Sequence, residues 1–115
     1  MDLSCIIVNY NSSEPLKDCL ESIYETIQEI ECEVIVIDNS EDDPGLQILK
    51  ESYPKAQFIF NPSNVGFSKA NNQAAKIARG DFLIFLNPDT ILSNQAIHSM
   101  HGYFCFCLVR YSLYC

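Results

Sequence analysis

A chain of 115 residues holds one small domain and no more. Apolar residues make up 48% of it, enough to fill a core, which sets disorder aside. The formal net charge of −8 disfavours nonspecific binding to nucleic acid, and a phosphate ligand would need a metal, a helix N-terminus or a local basic group to offset it.

Leu3 to Val8 is apolar apart from Ser4 and reads as the first strand, ending in the polar turn Asn9-Tyr10-Asn11-Ser12-Ser13. Ser12 or Ser13 is placed to cap the following helix, and Pro15 suits its first turn. Leu16, Cys19, Leu20, Ile23, Tyr24, Ile27 and Ile30 recur at three- and four-residue spacing, which predicts an amphipathic helix with one core face. Glu33 to Asp38 repeats the first strand's pattern and runs into Asp38-Asn39-Ser40. The acidic segment Glu41-Asp42-Asp43-Pro44-Gly45 reads as a solvated loop.

Leu46, Ile48 and Leu49 start a short second helix that ends at Tyr53-Pro54, because a residue before proline leaves the helical region. Ala56 to Phe60 is a third strand, closed by Asn61-Pro62-Ser63-Asn64. Phe67, Ala70, Ala74, Ile77 and Ala78 share a face of a third helix. Its small alanines allow close approach to a sheet. Gly80 fits the left-handed position past the helix end, where Lys76 and Arg79 complement the dipole. Phe82 to Leu86 reads as a strand buried on both faces and runs into Asn87-Pro88-Asp89-Thr90; Ser93 then caps a fourth helix through Ala96, Ile97 and Met100. Strand–helix alternation of this kind predicts an α/β fold: a Rossmann-like open, mostly parallel sheet with helices on both faces.

The stretch from Gly102 to Cys115 differs in character, with three of the six cysteines and several aromatics in a short run. It reads either as an edge strand or a piece packed on a helix face, or as a chain cut short or altered relative to a longer protein. Its apolar character favours pairing with a second copy. We therefore divide the chain into a domain over 1–101 and an atypical tail over 102–115. Cys5 and Cys19 take apolar positions and no Cys-x-x-Cys pair occurs, which favours a reduced, cytoplasmic setting. Met1-Asp2-Leu3-Ser4 lacks a basic leader region, and the apolar run after it is too short for a signal peptide or a membrane span.

Chemistry is expected where strand ends gather polar groups. The first strand ends in Asn9, Tyr10 and Asn11, the second in Asp38 and Asn39, the fourth in Asn87 and Asp89. Ligands of open α/β sheets bind beyond the carboxyl ends of strands, at the point where the winding reverses. With strand one between strands two and four, Asn9, Asp38 and Asp89 would surround one cleft. Asp38 could accept a hydrogen bond from a base or sugar, and Asp89 could hold a divalent cation against a diphosphate. Gly66 permits a positive φ or close backbone approach, and Asn71 and Asn72 lie on the helix after it. Each of these residues singly is also an ordinary turn former or a polar helix surface.

Four segments carry a resemblance to the family 2 glycosyltransferases with a GT-A fold. They are Ser4-Cys5-Ile6-Ile7-Val8-Asn9-Tyr10-Asn11, Val34-Ile35-Val36-Ile37-Asp38-Asn39-Ser40, Asn64-Val65-Gly66-Phe67-Ser68-Lys69-Ala70-Asn71-Asn72, and Gly80-Asp81-Phe82-Leu83-Ile84-Phe85-Leu86-Asn87-Pro88-Asp89-Thr90. The Asn-Pro-Asp form is similar to the branch with rhamnosyltransferase-like enzymes. The resemblance implies the nucleotide-sugar-binding half of an enzyme that transfers a sugar from a nucleotide-diphosphate donor, with inversion, to a polysaccharide, lipid-linked or protein acceptor. It implies that Asn9 and Tyr10 line the nucleoside pocket, with Asn39 beside them. Asp38 would bond the base, and Gly66, Asn71 and Asn72 would flank the donor. Asp89 would hold Mn²⁺ or Mg²⁺ as the second acid of an Asp-x-Asp motif, and Asn87, which replaces the first acid, would belong to the donor-nucleotide site. The catalytic base is expected beyond a truncated chain, so little transfer is expected from these residues alone. A full-length relative could associate with a membrane.

Other readings lack their marks. A dinucleotide-binding oxidoreductase needs Gly-x-Gly-x-x-Gly where this chain has Asn9-Tyr10-Asn11-Ser12-Ser13-Glu14, and the P-loop pattern is missing as well. A sugar nucleotidyltransferase would carry a Gly-rich, Arg-bearing loop after the first strand. A non-catalytic nucleotide-binding or oligomerising module remains as the alternative.

Overall fold

A computed structural model describes residues 2–92 and, by backbone, 108–110. The expected fourth helix and most of the 102–115 tail, with the boundary before it, lie outside the described residues. The elements are β1 (Leu3–Asn9), α1 (Ser13–Thr26), β2 (Cys32–Asp38), α2 (Gly45–Ser52), β3 (Gln57–Phe60), α3 (Phe67–Ile77), β4 (Phe82–Leu86) and β5 (Leu108–Arg110). They form a sheet in the order β3-β2-β1-β4-β5. β1 to β4 are parallel to their neighbours, and β5 runs antiparallel at the edge, with Phe82 opposite Arg110. The expected α/β architecture is present.

Strand alternation divides the core in two. Leu3, Cys5 and Ile7 of β1, with Val34 and Val36 of β2, meet Leu16, Cys19, Leu20 and Ile23 of α1 and Leu46 and Leu49 of α2. On the opposite face Ile6, Val8, Ile35 and Ile37 meet Ala70 and Ala74 of α3. Those alanines are fully buried and allow the close helix approach their size predicts. The winding reverses between β1 and β4: the β1–β2 and β2–β3 crossovers cover one face and the β3–β4 crossover the other. No helix among the described residues is long and apolar enough to cross a membrane.

Several local expectations are corrected. α1 stops at Thr26, where the Ile27 N–H closes on the Ile23 carbonyl. Ile27 and Ile30 continue the apolar spacing because both pack on the core, although neither is helical. Ser12 precedes α1 but forms no side-chain cap; its hydroxyl donates to the Tyr10 carbonyl instead. On α3, Phe67 and Ile77 are exposed, since the helix lies over β1 and β2 with only its alanine stripe inward.

Likewise β4 is not buried on both faces. Phe85 is 40% exposed because it shares the α3 face of the sheet while α3 sits over β1 and β2. Gly80 has no positive φ; among the described residues that region is held by Gly66 and Asn11. What requires glycine at position 80 is proximity, because a Cβ there would fall 2.5 Å from Ser4 N.

Candidate functional site

Parallel register sets the height of the rim. Asn9 pairs with Asp38 at the last rung of β1 and β2, whereas β4 ends level with Ile7. Asn9 and Asp38 therefore project side by side onto the α1–α2 face. The Asn9 amide donates to Asp38 Oδ1 at 3.1 Å, to Asp43 Oδ2 at 3.2 Å and to Ser40 Oγ at 3.4 Å. Ser40 N–H also donates to Asp38 Oδ1, at 3.0 Å, and the Asn11 N–H donates to Ser40 Oγ at 2.6 Å.

Two donors thus converge on Asp38 Oδ1. Its other oxygen, Oδ2, has no protein partner among the described residues, yet it is not among the sealed, unpartnered polar atoms. Asp38 accordingly keeps one oriented oxygen without a partner among the described residues, at the end of β2, although the residue is only 5% exposed. Asn9 has the opposite character. It is fully buried, its amide is committed to the two carboxylates, and its Oδ1 is sealed without a partner. Its position favours bracing the rim over touching a ligand.

One residue further along the chain, alternation sends Asn39 to the α3 face. Its amide donates to the Gly66 carbonyl at 3.2 Å, and its Oδ1 accepts from Asn61 at 2.9 Å. Asn61 and Gln73 of α3 exchange reciprocal amide bonds of 3.0 and 2.8 Å. Asn64 Oδ1 accepts the Gly66 N–H at 2.9 Å. Gly66 sits at φ 92° with open space around its Cα, so conformation rather than crowding demands glycine there. Tyr10 is exposed above the rim, Asn72 is exposed on α3 and Asn71 is half-buried.

The β4 turn lies to the other side of β1. Asn87 and Asp89 are both exposed, and the Thr90 N–H closes the turn on the Asn87 carbonyl at 3.0 Å. α1 anchors this segment: the Cys19 thiol donates to the Asn87 carbonyl at 3.9 Å. The Ser22 hydroxyl accepts the Leu92 N–H at 3.0 Å, and the Thr26 hydroxyl donates to the Leu92 carbonyl at 3.4 Å. Burial, together with the nearby Asp89 charge, pushes the Cys19 thiol up to about 11. Asp89 has no hydrogen bond or ion pair among the described residues.

The described residues contain no group of three or more His, Cys, Asp or Glu that could cage a metal. A single exposed carboxylate fits only a cation that takes its remaining positions from phosphate and water. Residues that sequence reasoning passed over are Asp43, Asn61, Gln73, Ser22 and Thr26. Their partners lie far away along the chain, so no local pattern marks them.

In open α/β sheets ligands bind beyond the carboxyl ends of the strands, near the point where the winding reverses, and this is where Asn9, Asp38 and Asp89 stand. The sequence model described as Glycosyl transferase family 2 matches residues 4–107, and the chain belongs to that family. It is 31% identical over 102 residues to the poly(ribitol-phosphate) beta-glucosyltransferase of Bacillus spizizenii, covering 84% of this chain and 16% of that protein. It is 33% identical over 99 residues to the chondroitin synthase of Escherichia coli, covering 83% of this chain and 14% of that one. Residues 1–349 of S. aureus TarS, solved in complex with UDP, superpose with a TM-score of 0.75 at 28% identity, covering 92% of this chain and 32% of the other. The same TarS segment with UDP-GlcNAc gives a TM-score of 0.71 at 26% identity over 92% of this chain and 32% of that one. The chain therefore spans a third or less of each of these proteins.

Proposed function

We propose that the chain is the donor-binding half of an inverting glycosyltransferase that uses a nucleotide-diphosphate sugar, with Asp38 at the nucleobase and Asp89 at the diphosphate. The observation that carries this reading is the Asp38 carboxylate at the end of β2, with one oxygen held by two protein donors and the other without a partner among the described residues. A single oriented carboxylate oxygen suits an N–H donor of a base. Tyr10 stands exposed near it, Asn39 holds the Gly66 and Asn61 segments from the α3 side, Gly66, Asn71 and Asn72 flank the donor, and Asn87 lies on its nucleotide-diphosphate side. The UDP and UDP-GlcNAc complexes of TarS support a nucleotide-sugar ligand.

Electrostatics support a cation. Asp38, Asp43 and Asp89 lie along the strand-end edge of a chain of net charge −8, an unfavourable place for a bare diphosphate. Asp89 would hold Mn²⁺ or Mg²⁺, which when bound offsets charge on the leaving diphosphate. Inversion also needs a carboxylate base on the acceptor side; no residue of the described edge is assigned that role. The names of the relatives support a polysaccharide acceptor, with lipid-linked and protein acceptors as further classes. The Asn87-Pro88-Asp89 form supports the rhamnosyltransferase-like branch, and a reduced, cytoplasmic setting suits the free thiols of Cys5, Cys19 and Cys32.

Calorimetric titration with uridine, guanosine and thymidine diphosphates, with and without Mn²⁺, tests the reading. One of them should bind in a metal-dependent way. Asp89→Ala should abolish the metal dependence, and Asp38→Ala should weaken binding with or without metal. Absence of binding by all three overturns the proposal, and metal-dependent binding unchanged in Asp89→Ala overturns the role of that residue. Efficient sugar transfer by this chain alone would overturn its assignment as a donor half.

A further inference from the structure

The acidic segment after β2 reads from sequence as a solvated loop, but Asp43 turns back to the rim. Its Oδ2 lies 3.2 Å from the Asn9 amide nitrogen, while its backbone carbonyl accepts the Leu46 N–H at 3.1 Å to open α2. The side chain is thus delivered to Asn9 by a helix start rather than by a free loop. Resting on the donor-site reading above, we infer that Asp43 is a positioning residue: through the shared Asn9 amide it fixes the Asp38 carboxylate and so the direction in which Asp38 Oδ2 accepts.

The argument is one of proton supply. An asparagine amide carries two N–H protons. Three acceptors surround this one, and the two nearest are the carboxylates of Asp38 and Asp43, at 3.1 and 3.2 Å. Ser40 Oγ, at 3.4 Å, already accepts from the Asn11 N–H. A flipped amide would turn its oxygen toward two anions, so the carboxylates together select the orientation seen. Asn9 is fully buried in the intact chain, so its amide protons rely on protein acceptors there. With Asp43 gone, the second amide proton loses its charged acceptor. The barrier to rotating Asn9 falls, and Asp38 Oδ1 loses one of its two fixed donors whenever Asn9 turns. Asp43 itself need not touch the ligand.

A positioning role at the base end has a different signature from a role at the phosphate end. Titrations of the full chain would use uridine diphosphate, uridine and inorganic pyrophosphate, with heteronuclear NMR of the Asn9 side-chain amide alongside. Asp43→Ala should weaken uridine diphosphate and uridine by the same factor, about five- to tenfold for one charge-assisted hydrogen bond, and leave pyrophosphate unchanged. Asp43→Asn keeps an oxygen acceptor and should restore binding to within about twofold of wild type. In the wild-type chain the Asn9 amide protons should exchange slowly with solvent, and in Asp43→Ala quickly.

Failure of all three uridine and phosphate probes to bind the wild-type chain, when guanosine and thymidine diphosphates also fail, overturns the donor-site reading and this inference with it. Where another diphosphate binds, it and its nucleoside replace the uridine pair. Wild-type binding that Asp43→Ala leaves unchanged overturns the positioning role alone. Should Asp43→Ala not fold, fast exchange of the Asn9 amide in the wild-type chain, or an Asp43→Asn variant weakened equally toward pyrophosphate, overturns it.

Discussion

Gly80→Ala is the substitution for which the structure sets the clearest penalty. A methyl group at this position would fall 2.5 Å from Ser4 N, 2.6 Å from Leu3 C and 2.6 Å from Ser4 Oγ. Ordinary contact needs about 3.5 Å, so something must move by roughly 1 Å. The obstructing atoms are mainly backbone of β1, the strand paired to β2 on one side and to β4 on the other. Neither neighbour can yield without breaking ladder bonds. The shift would also stretch the 2.8 Å bond from the Gly80 N–H to Ser4 Oγ.

Overpacking of this kind costs about 2–3 kcal/mol, and the stretched bond adds about 1 kcal/mol. The lower chain entropy of alanine in the unfolded state returns up to about 1 kcal/mol. The net loss is about 3 kcal/mol, which for a domain of this size lowers Tm by roughly 12–24 °C. Thermal and urea unfolding followed by circular dichroism read it directly. Ser4→Ala, which removes the hydroxyl without adding bulk, should cost less. A fall in Tm below about 4 °C for Gly80→Ala would refute the claim that proximity to β1 is what requires glycine.

Two further predictions concern titratable groups. Burial pushes the Glu33 carboxyl up, but the Ser4 hydroxyl and the Arg79 N–H and guanidinium outweigh it, so the carboxyl sits below its usual value of 4.5. A depressed carboxylate contributes stability above its unfolded pKa and loses it as pH falls through the folded value. Glu33→Gln should therefore be less stable than wild type at pH 7, with the gap closing below about pH 4.5; urea midpoints across that range check the sign. Among the described thiols, Cys32 is held below the usual range by the Cys5 thiol 3.6 Å away, although burial opposes this, whereas Cys19 is pushed up to about 11. Iodoacetamide at pH 8 should modify Cys32 well before Cys19, as peptide mass mapping would show, and equal rates would contradict it.

Much of the frame was legible because period and punctuation agreed. The apolar runs of β1, β2 and β4 ended at Asn9, Asp38 and Asn87, and the alanine stripe of α3 identified the face that meets the sheet. Boundaries failed where one property served two purposes. Ile27 and Ile30 keep helical spacing because the core needs them, not because the helix continues. Gly80 looked like a helix terminator, yet its constraint comes from β1, far back in the chain. For the candidate site, sequence pointed to the strand ends but not to their division of labour. That Asn9 is sealed while Asp38 keeps an oxygen without a partner among the described residues depends on Asp43 and Ser40 arriving from beyond β2, a packing fact without a local signature.

The end of β2 has a mechanical consequence. Asp38 and Asn39 are consecutive, yet one is tied to Asn9 on the α1–α2 side and the other to Gly66 and Asn61 on the α3 side. The peptide between them acts as a short crossbar through the sheet. From the Asp38 carboxylate, a few covalent bonds lead to Asn39, which is linked to α3 both by its bond to Gly66 and through Asn61 to Gln73. The two helical layers are thereby tied to adjacent residues at one point of the rim.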